Sequence, residues 1–328
     1  MSDVSVLGSG RWGSFIAWYL NKVKHKVTLW GKAETKEIST LIKNRNNGVV
    51  FFEEKIKITS GLESALRSEY IIISINAQNL RSFFVDLVGD IYVKNGFFKI
   101  LAKKKIILCM KGIEKDSGKR LTEIVKEFLP ENDNVAIWVG PGHVMSLMSG
   151  VPTCMVIDST NENYKKELLK LFTSNLIKCF CGVDLVGNEI GAAAKNVLGI
   201  AAGILDALGM QALKGALMAR GSLEISKLIS ALGGKKESAY GLCHLGDYEA
   251  TLFSKESNNR RYGETIVTEE SVDFVAEGVG TSEAINNLSE KYNLNLPICK
   301  EIYRIVNSIS TPKESIRKLF SIESEYEI

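Results

Sequence analysis

The chain has 328 residues, enough for two domains of ordinary size, and its 41 Lys and Arg against 38 Asp and Glu leave a formal net charge of +3. That balance excludes the strongly basic surface of a nucleic-acid binder and leaves any anionic ligand to a local pocket. Six cysteines without a CxxC pair and three scattered histidines argue against a disulfide framework or a metal site, and for reduced thiols in the cytoplasm. A strand pattern begins almost at Met1 and the tail ESEYEI has no anchoring motif, so neither a signal peptide nor a lipid anchor is expected.

Residues 4–7 read as a short apolar strand that runs into Gly8-Ser9-Gly10-Arg11-Trp12-Gly13 and then into an amphipathic helix. In this GxGxxG spacing the first glycine makes the tight turn. The second lets backbone approach a pyrophosphate, and the third lets helix and strand pack closely. A second strand, Lys26–Trp30, follows at βαβ distance, so the turn predicts dinucleotide binding at the helix N-terminus. After that strand comes Trp30-Gly31-Lys32-Ala33-Glu34, with no acid at the strand end to read a ribose. Lys32 could meet a 2'-phosphate there, which leans the cofactor toward NADP with NAD left open.

Further strands are expected over residues 55–59 and 70–75, the latter containing the continuous β-branched run IIISI of a buried parallel strand. A long amphipathic region, 79–101, leads to a strand over 105–109 that ends in Met110-Lys111-Gly112-Ile113-Glu114. Lys111 thus stands at the carboxyl end of a strand, where open α/β sheets bind ligands. A helix over 119–128 and the strand Val135–Val139 bring the chain to Gly140-Pro141-Gly142-His143, and strands over 153–157 and 176–179 flank a helix over 163–172. From residue 188 the strand signals stop. We therefore expect a doubly wound, mostly parallel α/β Rossmann sheet in residues 1–187 and an all-α domain in 188–328.

The second half opens on residues 183–210, VDLVGNEIGAAAKNVLGIAAGILDALGM, an Ala/Gly-rich apolar run with Lys195 in its middle. Glu189 and Asp206 also interrupt it and no basic flank sets an orientation, so a core helix is expected and no membrane insertion. A lysine inside such a helix either snorkels to solvent or serves a function. Helices are expected over 213–232, 282–292 and 297–307, with a polar loop over 254–263 and a charged C-terminal helix.

Taken together, several segments resemble the bacterial-type NAD(P)-dependent glycerol-3-phosphate dehydrogenases. GSGRWG at 8–13 is similar to the family's cofactor loop, KGIE at 111–114 to its KG-[LI]-E, and GPGHVMSLMSGVPT at 140–153 to its GPSFA...GLPT segment. EIGAAAKNVLGIAAG at 189–203 is similar to its catalytic helix, LGDYEATLFSKESNNRRYG at 245–263 to its GLGDL...SRNRRFG, and VAEGVGT at 275–281 to its VEG segment. The similarity runs in order over nearly the whole chain.

The resemblance implies reversible reduction of dihydroxyacetone phosphate to sn-glycerol 3-phosphate, with Lys195 as acid/base and Lys111 and Asp247 beside the substrate. It places Gly140, Gly142 and Asn196 at the substrate and Ser257, Asn258 and Asn259 on its phosphate. It surrounds the cofactor with Gly8, Ser9, Gly10, Arg11, Trp12, Gly13, Lys32, Lys111, Val144, Val275 and Glu277. The chemistry is coherent, because an ammonium beside the carbonyl oxygen both stabilises a developing alkoxide and delivers its proton. An apolar helix and the cation of Lys111 would lower the Lys195 pKa, and Asp247 would oppose that shift.

Two departures from the family pattern bear on the substrate. The arginine of SRN is Asn258 and the serine of GPS is Gly142, so a charge and a hydroxyl are missing. Either Arg260 or Arg261 swings in to replace the missing charge, or the phosphate pocket is weakened. The rival readings are a related dehydrogenase acting on another small 2-oxo or hydroxy (phospho) substrate, and a silent cofactor-binding regulatory protein. The expected partner is a small-molecule substrate, with no nucleic acid, and a homodimer is the expected assembly.

Overall fold

A computed structural model describes residues 1–89 and 97–321. Strands β1 (Asp3–Leu7), β2 (Lys26–Trp30), β3 (Lys57–Thr59), β4 (Tyr70–Ile73), β5 (Lys105–Leu108), β6 (Val135–Val139), β7 (Thr153–Ser159) and β8 (Ile177–Cys181) form one sheet. Their order is β3-β2-β1-β4-β5-β6-β7-β8. Neighbours run parallel except β6 and β7, which are antiparallel. Chain direction across the sheet reverses at β1, which lies between β2 and β4. The crevice beyond the carboxyl ends of β1 and β4 is therefore the switch point at which such sheets bind ligands.

The strands are buried because helices cover both faces. On one face the helices Arg11–Lys22 and Glu162–Phe172 bring Phe15, Tyr19 and Phe172 onto Trp138 of β6. The Trp138 and Phe172 rings stack at 4.8 Å, and Tyr19 donates its hydroxyl to the Phe172 carbonyl at 2.6 Å. On the other face Leu80–Val88 and Leu121–Phe128 contribute Phe84 and Ile124 to a second core, which Ala192 also joins.

Beyond β8 no further strand occurs among the described residues. The helix Leu185–Ala207 runs through the centre of the second half, and Asp184 caps it by accepting from the Gly187 N–H at 3.1 Å. Lys214–Ala231, Asn258–Thr268, Glu277–Lys291, Pro297–Val306 and Pro312–Phe320 complete this half. Its wealth of Ala and Gly has a steric cause. A Cβ on Gly203 would lie 1.8 Å from the Arg260 carbonyl oxygen, and one on Gly263 would lie 2.0 Å from that of Ile200, so two helix backbones touch through paired glycines.

By length and composition Leu185–Ala207 resembles a membrane span, yet it is buried inside the protein. Its charges are answered internally. Glu189 accepts from Arg120 at 2.6 Å and from Thr122 N–H and Oγ1 at 3.0 and 2.6 Å. Asp206 takes Lys214 at 2.6 Å and Arg260 at 2.5 Å.

Of the polar loop expected over 254–263, residues 254–257 are irregular as expected, but 258–263 are the start of a helix. Ser257 caps Asn258–Thr268 by accepting from the Arg260 N–H at 3.3 Å. Only Asn259, Arg260 and Gly263 of that helix are buried, so it shows no apolar stripe. The helix expected over 282–292 begins at Glu277 for the same reason, since its first turns bury Gly278 and Thr281 rather than large apolar groups. Of the amphipathic region 79–101, residues 80–88 and 97–101 are helical and 90–96 lie outside the described residues, as does the tail 322–328.

The glycine contact yields a direct test. Gly203→Ala should destabilise the protein by about 1–3 kcal/mol, as overpacking does, and lower its urea midpoint. Substitution at Gly215, where an added Cβ meets nothing within 4 Å, should not.

Candidate active site

The loops at the carboxyl ends of β1, β4, β5 and β6 face the helical half across a cleft of about 470 Å³. The glycine turn contributes Gly10, Arg11, Trp12 and Gly13, the β5 end Lys111, and the loop after β6 Gly142, His143 and Val144. From the helical half come Lys195, Asn196, Asp247, Thr251, Ser257, Asn258, Asn259, Val275 and Glu277. Gly8, Ser9, Lys32 and Gly140 do not line it. Lys32 is exposed just past β2, while Gly140 acts through its carbonyl.

Asp247 is the hub. Its Oδ2 accepts from Lys111 Nζ at 2.6 Å and from Lys195 Nζ at 2.9 Å. Lys111 also donates to the Gly140 carbonyl at 2.7 Å, and Lys195 to Thr251 Oγ1 at 2.6 Å. Each ammonium thus has two partners among the described residues and one donor left. Asp247 Oδ1 is buried without a partner among them.

Neighbouring groups fix this hub. The Tyr248 hydroxyl lies 2.7 Å from His244 Nε2 and 3.2 Å from Ser222 Oγ, while His244 Nδ1 sits 2.9 Å from the Gly191 carbonyl. Burial holds the His244 pKa down at about 4, so the ring is neutral and its Nδ1–H donates to that carbonyl. The chain then makes a single π-helical turn, Glu249–Phe253, which carries Thr251. Such turns often accompany functional sites. On the other side, Arg81 grips Glu114 of the KGIE stretch at 2.7 and 2.9 Å, and Gln78 bonds Ile113 O and Lys115 N at 2.8 and 3.0 Å. These contacts hold the loop from which Lys111 projects.

Burial pushes the Lys195 pKa down to about 8; Asp247 opposes the shift and Lys111 adds to it. A lysine at 8 can both give and take a proton near neutrality. Burial raises the Glu277 carboxyl to about 7 against the pull of Lys111 and Lys195. His143 is held below its usual range by burial and then by the charge of Lys195.

The expected phosphate residues are drawn together but largely engaged. Asn259 Nδ2 donates to Asn196 Oδ1 at 3.0 Å and its Oδ1 accepts from the Gly278 N–H at 2.8 Å. Asn196 in turn reaches the Lys111 carbonyl at 3.3 Å, and Asn258 the Val275 carbonyl at 3.3 Å. The expectation that Arg260 or Arg261 swings in is corrected. Arg260 is buried on Asp206 at 2.5 Å and Glu264 at 2.8 Å, and Arg261 lies over the Phe274 ring at 4.4 Å.

The glycine turn fits a dinucleotide. Gly8 has φ +125°, a Cβ on Gly13 would lie 2.0 Å from the Gly8 carbonyl oxygen, and one on Gly10 would meet nothing within 4 Å. Tight packing behind and open space in front of the helix N-terminus make the cradle that a pyrophosphate needs. A second cavity, about 400 Å³ and mostly apolar, lies among the helices and contains none of these groups. Its buried Glu224 caps Pro297–Val306 by accepting from Ile298 and Cys299 N–H at 2.8 and 3.0 Å.

Sequence reasoning missed Thr251, His143 and Glu256, all of which line the cleft. Thr251 follows Asp247 by four residues, a spacing that puts both on one face of a helical turn, and this signal was available. Glu256 lies 3.0 Å from Arg11 across the cleft, which no local pattern reveals.

The chain matches a family model described as NAD-dependent glycerol-3-phosphate dehydrogenase N-terminus over residues 3–165, and one described as the C-terminus over 184–317. It is 35% identical to a glycerol-3-phosphate dehydrogenase (NAD(P)+) of Clostridium botulinum over 100% of both chains. It is 32% identical to the glycosomal glycerol-3-phosphate dehydrogenase (NAD(+)) of Leishmania mexicana, covering 98% of this chain and 90% of that one. The crystal structure of the Coxiella burnetii glycerol-3-phosphate dehydrogenase superposes with a TM-score of 0.86 at 25% identity, covering 98% and 99% of the two chains.

The electrostatics of the hub set the expected titration. Labelling of Lys195 by acetic anhydride, followed by mass spectrometry across pH, should show a midpoint near 8. Asp247→Asn should move that midpoint lower, because it removes the charge that favours the ammonium.

Proposed function

Because the chain belongs to the NAD-dependent glycerol-3-phosphate dehydrogenase family, we propose that it interconverts dihydroxyacetone phosphate and sn-glycerol 3-phosphate, with Lys195 as general acid and base. Two lysines sharing one buried carboxylate, directly across the cleft from a dinucleotide turn, are the observation that carries this reading.

Gly8, Gly10 and Gly13 and the N-terminus of Arg11–Lys22 would hold NAD(P)H, which would supply the hydride for the carbonyl carbon. The residues do the rest. The free donor of the Lys195 ammonium hydrogen-bonds the carbonyl oxygen, stabilises the negative charge that develops there and gives it the proton. Lys111 adds positive potential at the same oxygen. Asp247 orients both lysines, and Thr251 fixes the Lys195 rotamer. In the reverse direction neutral Lys195 takes the hydroxyl proton, and NAD(P)+ bound at the same turn would be the acceptor for the hydride lost from that carbon. Ser257, Asn258 and Asn259 lie at the phosphate, Gly142 and Asn196 shape the wall around the carbon chain, and Gly140 serves the substrate through its carbonyl, which holds Lys111. Val144, Val275 and Glu277 lie along the cofactor, and Lys32 at its adenosine end favours NADP.

This reading treats residues 1–187 as the dinucleotide domain and 188–328 as the helical substrate domain. The passage from β8 to the helix Leu185–Ala207 supports that division. A homodimer in the cytoplasm is the setting it implies.

With Lys195 near pH 8, reduction needs the ammonium and should decline above that pH, whereas oxidation needs the amine and should rise through it. Lys195→Met should lower kcat by about 10²–10⁴-fold with cofactor still bound, as read by NADPH absorbance on addition of dihydroxyacetone phosphate. Full activity in that variant would remove Lys195 from the chemistry. Lys32→Ala should raise KM for NADPH and leave KM for NADH in place; equal shifts would refute its role.

A further inference from the structure

A substrate phosphate carries up to two negative charges, and the loop expected to hold it turns no cation into the cleft: Lys255 is exposed outside the cleft lining. Asn258 is neutral and turned to the Val275 carbonyl. Arg260 is consumed by Asp206 and Glu264, and Arg261 by the Phe274 ring. Among the described residues, the Lys and Arg side chains that line the cleft are Lys111 and Lys195, which both sit on Asp247, and Arg11.

Arg11 is the first residue of the helix after the glycine turn, and its side chain spans the cleft. Its Nη2 donates to Glu256 Oε2 at 3.0 Å, with each side chain 49% exposed. Glu256 directly precedes Ser257, the cap of Asn258–Thr268. The guanidinium therefore stands on the phosphate-loop side of the cleft, although it is rooted in the cofactor turn. We propose that Arg11 is the cation that binds the substrate's phosphate, and that Glu256 is a placeholder it leaves when substrate arrives. The inference rests on dihydroxyacetone phosphate being the substrate.

The exchange is chemically easy. An ion pair this exposed contributes little, whereas a guanidinium fork matches phosphate oxygens bidentately and gains from the second charge. Backbone N–H groups of the cofactor turn remain for the pyrophosphate, so Arg11 is not needed there. Glu256, freed of its partner, repels the arriving dianion. The two members of one ion pair thus act on substrate affinity with opposite sign.

That opposition is the test. KM for dihydroxyacetone phosphate is measured at saturating NADPH in Arg11→Ser and Glu256→Gln, and the NADPH Kd is measured by fluorescence quenching. Arg11→Ser should raise KM about ten- to a hundredfold. Glu256→Gln should lower it by up to about fivefold. An unmoved KM in Arg11→Ser overturns the assignment. So does a KM shift in the same direction for both variants, which would make the pair a strut between the halves. A weakened NADPH Kd with KM unchanged also overturns it, since Arg11 would then serve the pyrophosphate. Failure of the unsubstituted protein to turn over dihydroxyacetone phosphate is a different result and strikes the substrate reading itself.

Discussion

A single carboxylate oxygen, Asp247 Oδ2, accepts from two ammonium groups. Burying two cations in one cleft is prohibitive unless a counter-charge is buried with them. Asp247 supplies it, and much of the surrounding structure keeps that residue in place. The His244, Tyr248 and Ser222 chain anchors its turn to the central helix, and the Arg81–Glu114 pair anchors the loop of Lys111. With two cations on one anion, the hub retains net positive charge facing the cleft, as a site that stabilises a developing oxyanion requires.

The central helix follows the same rule along its length. Glu189, Lys195 and Asp206 each have a partner of opposite charge on another element, Arg120, Asp247 and Lys214 respectively. Of the three, only Lys195 lines the cleft. Glu189 and Asp206 use their charge to hold neighbouring segments to the helix, a distinction that its composition alone would not suggest.

Much of this could be read from residues. The strand, GxGxxG turn and second strand carry local constraints of backbone and spacing, and they fold as those constraints dictate. Lys195 stood out because an ammonium in an apolar run needs an explanation. The helix that begins at Asn258 escaped notice because it buries polar and small residues, so periodicity had nothing to detect. The misplacement of Arg260 has another cause. Its partner Asp206 lies 54 residues away in sequence, and which of two adjacent arginines faces inward is decided by packing. Thr251 was legible in principle from its spacing to Asp247, but a π turn shifts side-chain register in a way no propensity encodes.

The paired glycines 203 and 263 join the backbone of the lysine-bearing helix to that of the helix capped by Ser257. Gly278, whose added Cβ would lie 2.6 Å from the Asn196 carbonyl oxygen, brings a third helix to the same contact. The Lys195 helix and the segment capped by Ser257 are consequently parts of one rigid piece, with their separation set by main-chain contact instead of by flexible side chains. Such a piece is a fixed gauge: it sets the length of any ligand that spans from the lysine to that segment, before any individual hydrogen bond discriminates.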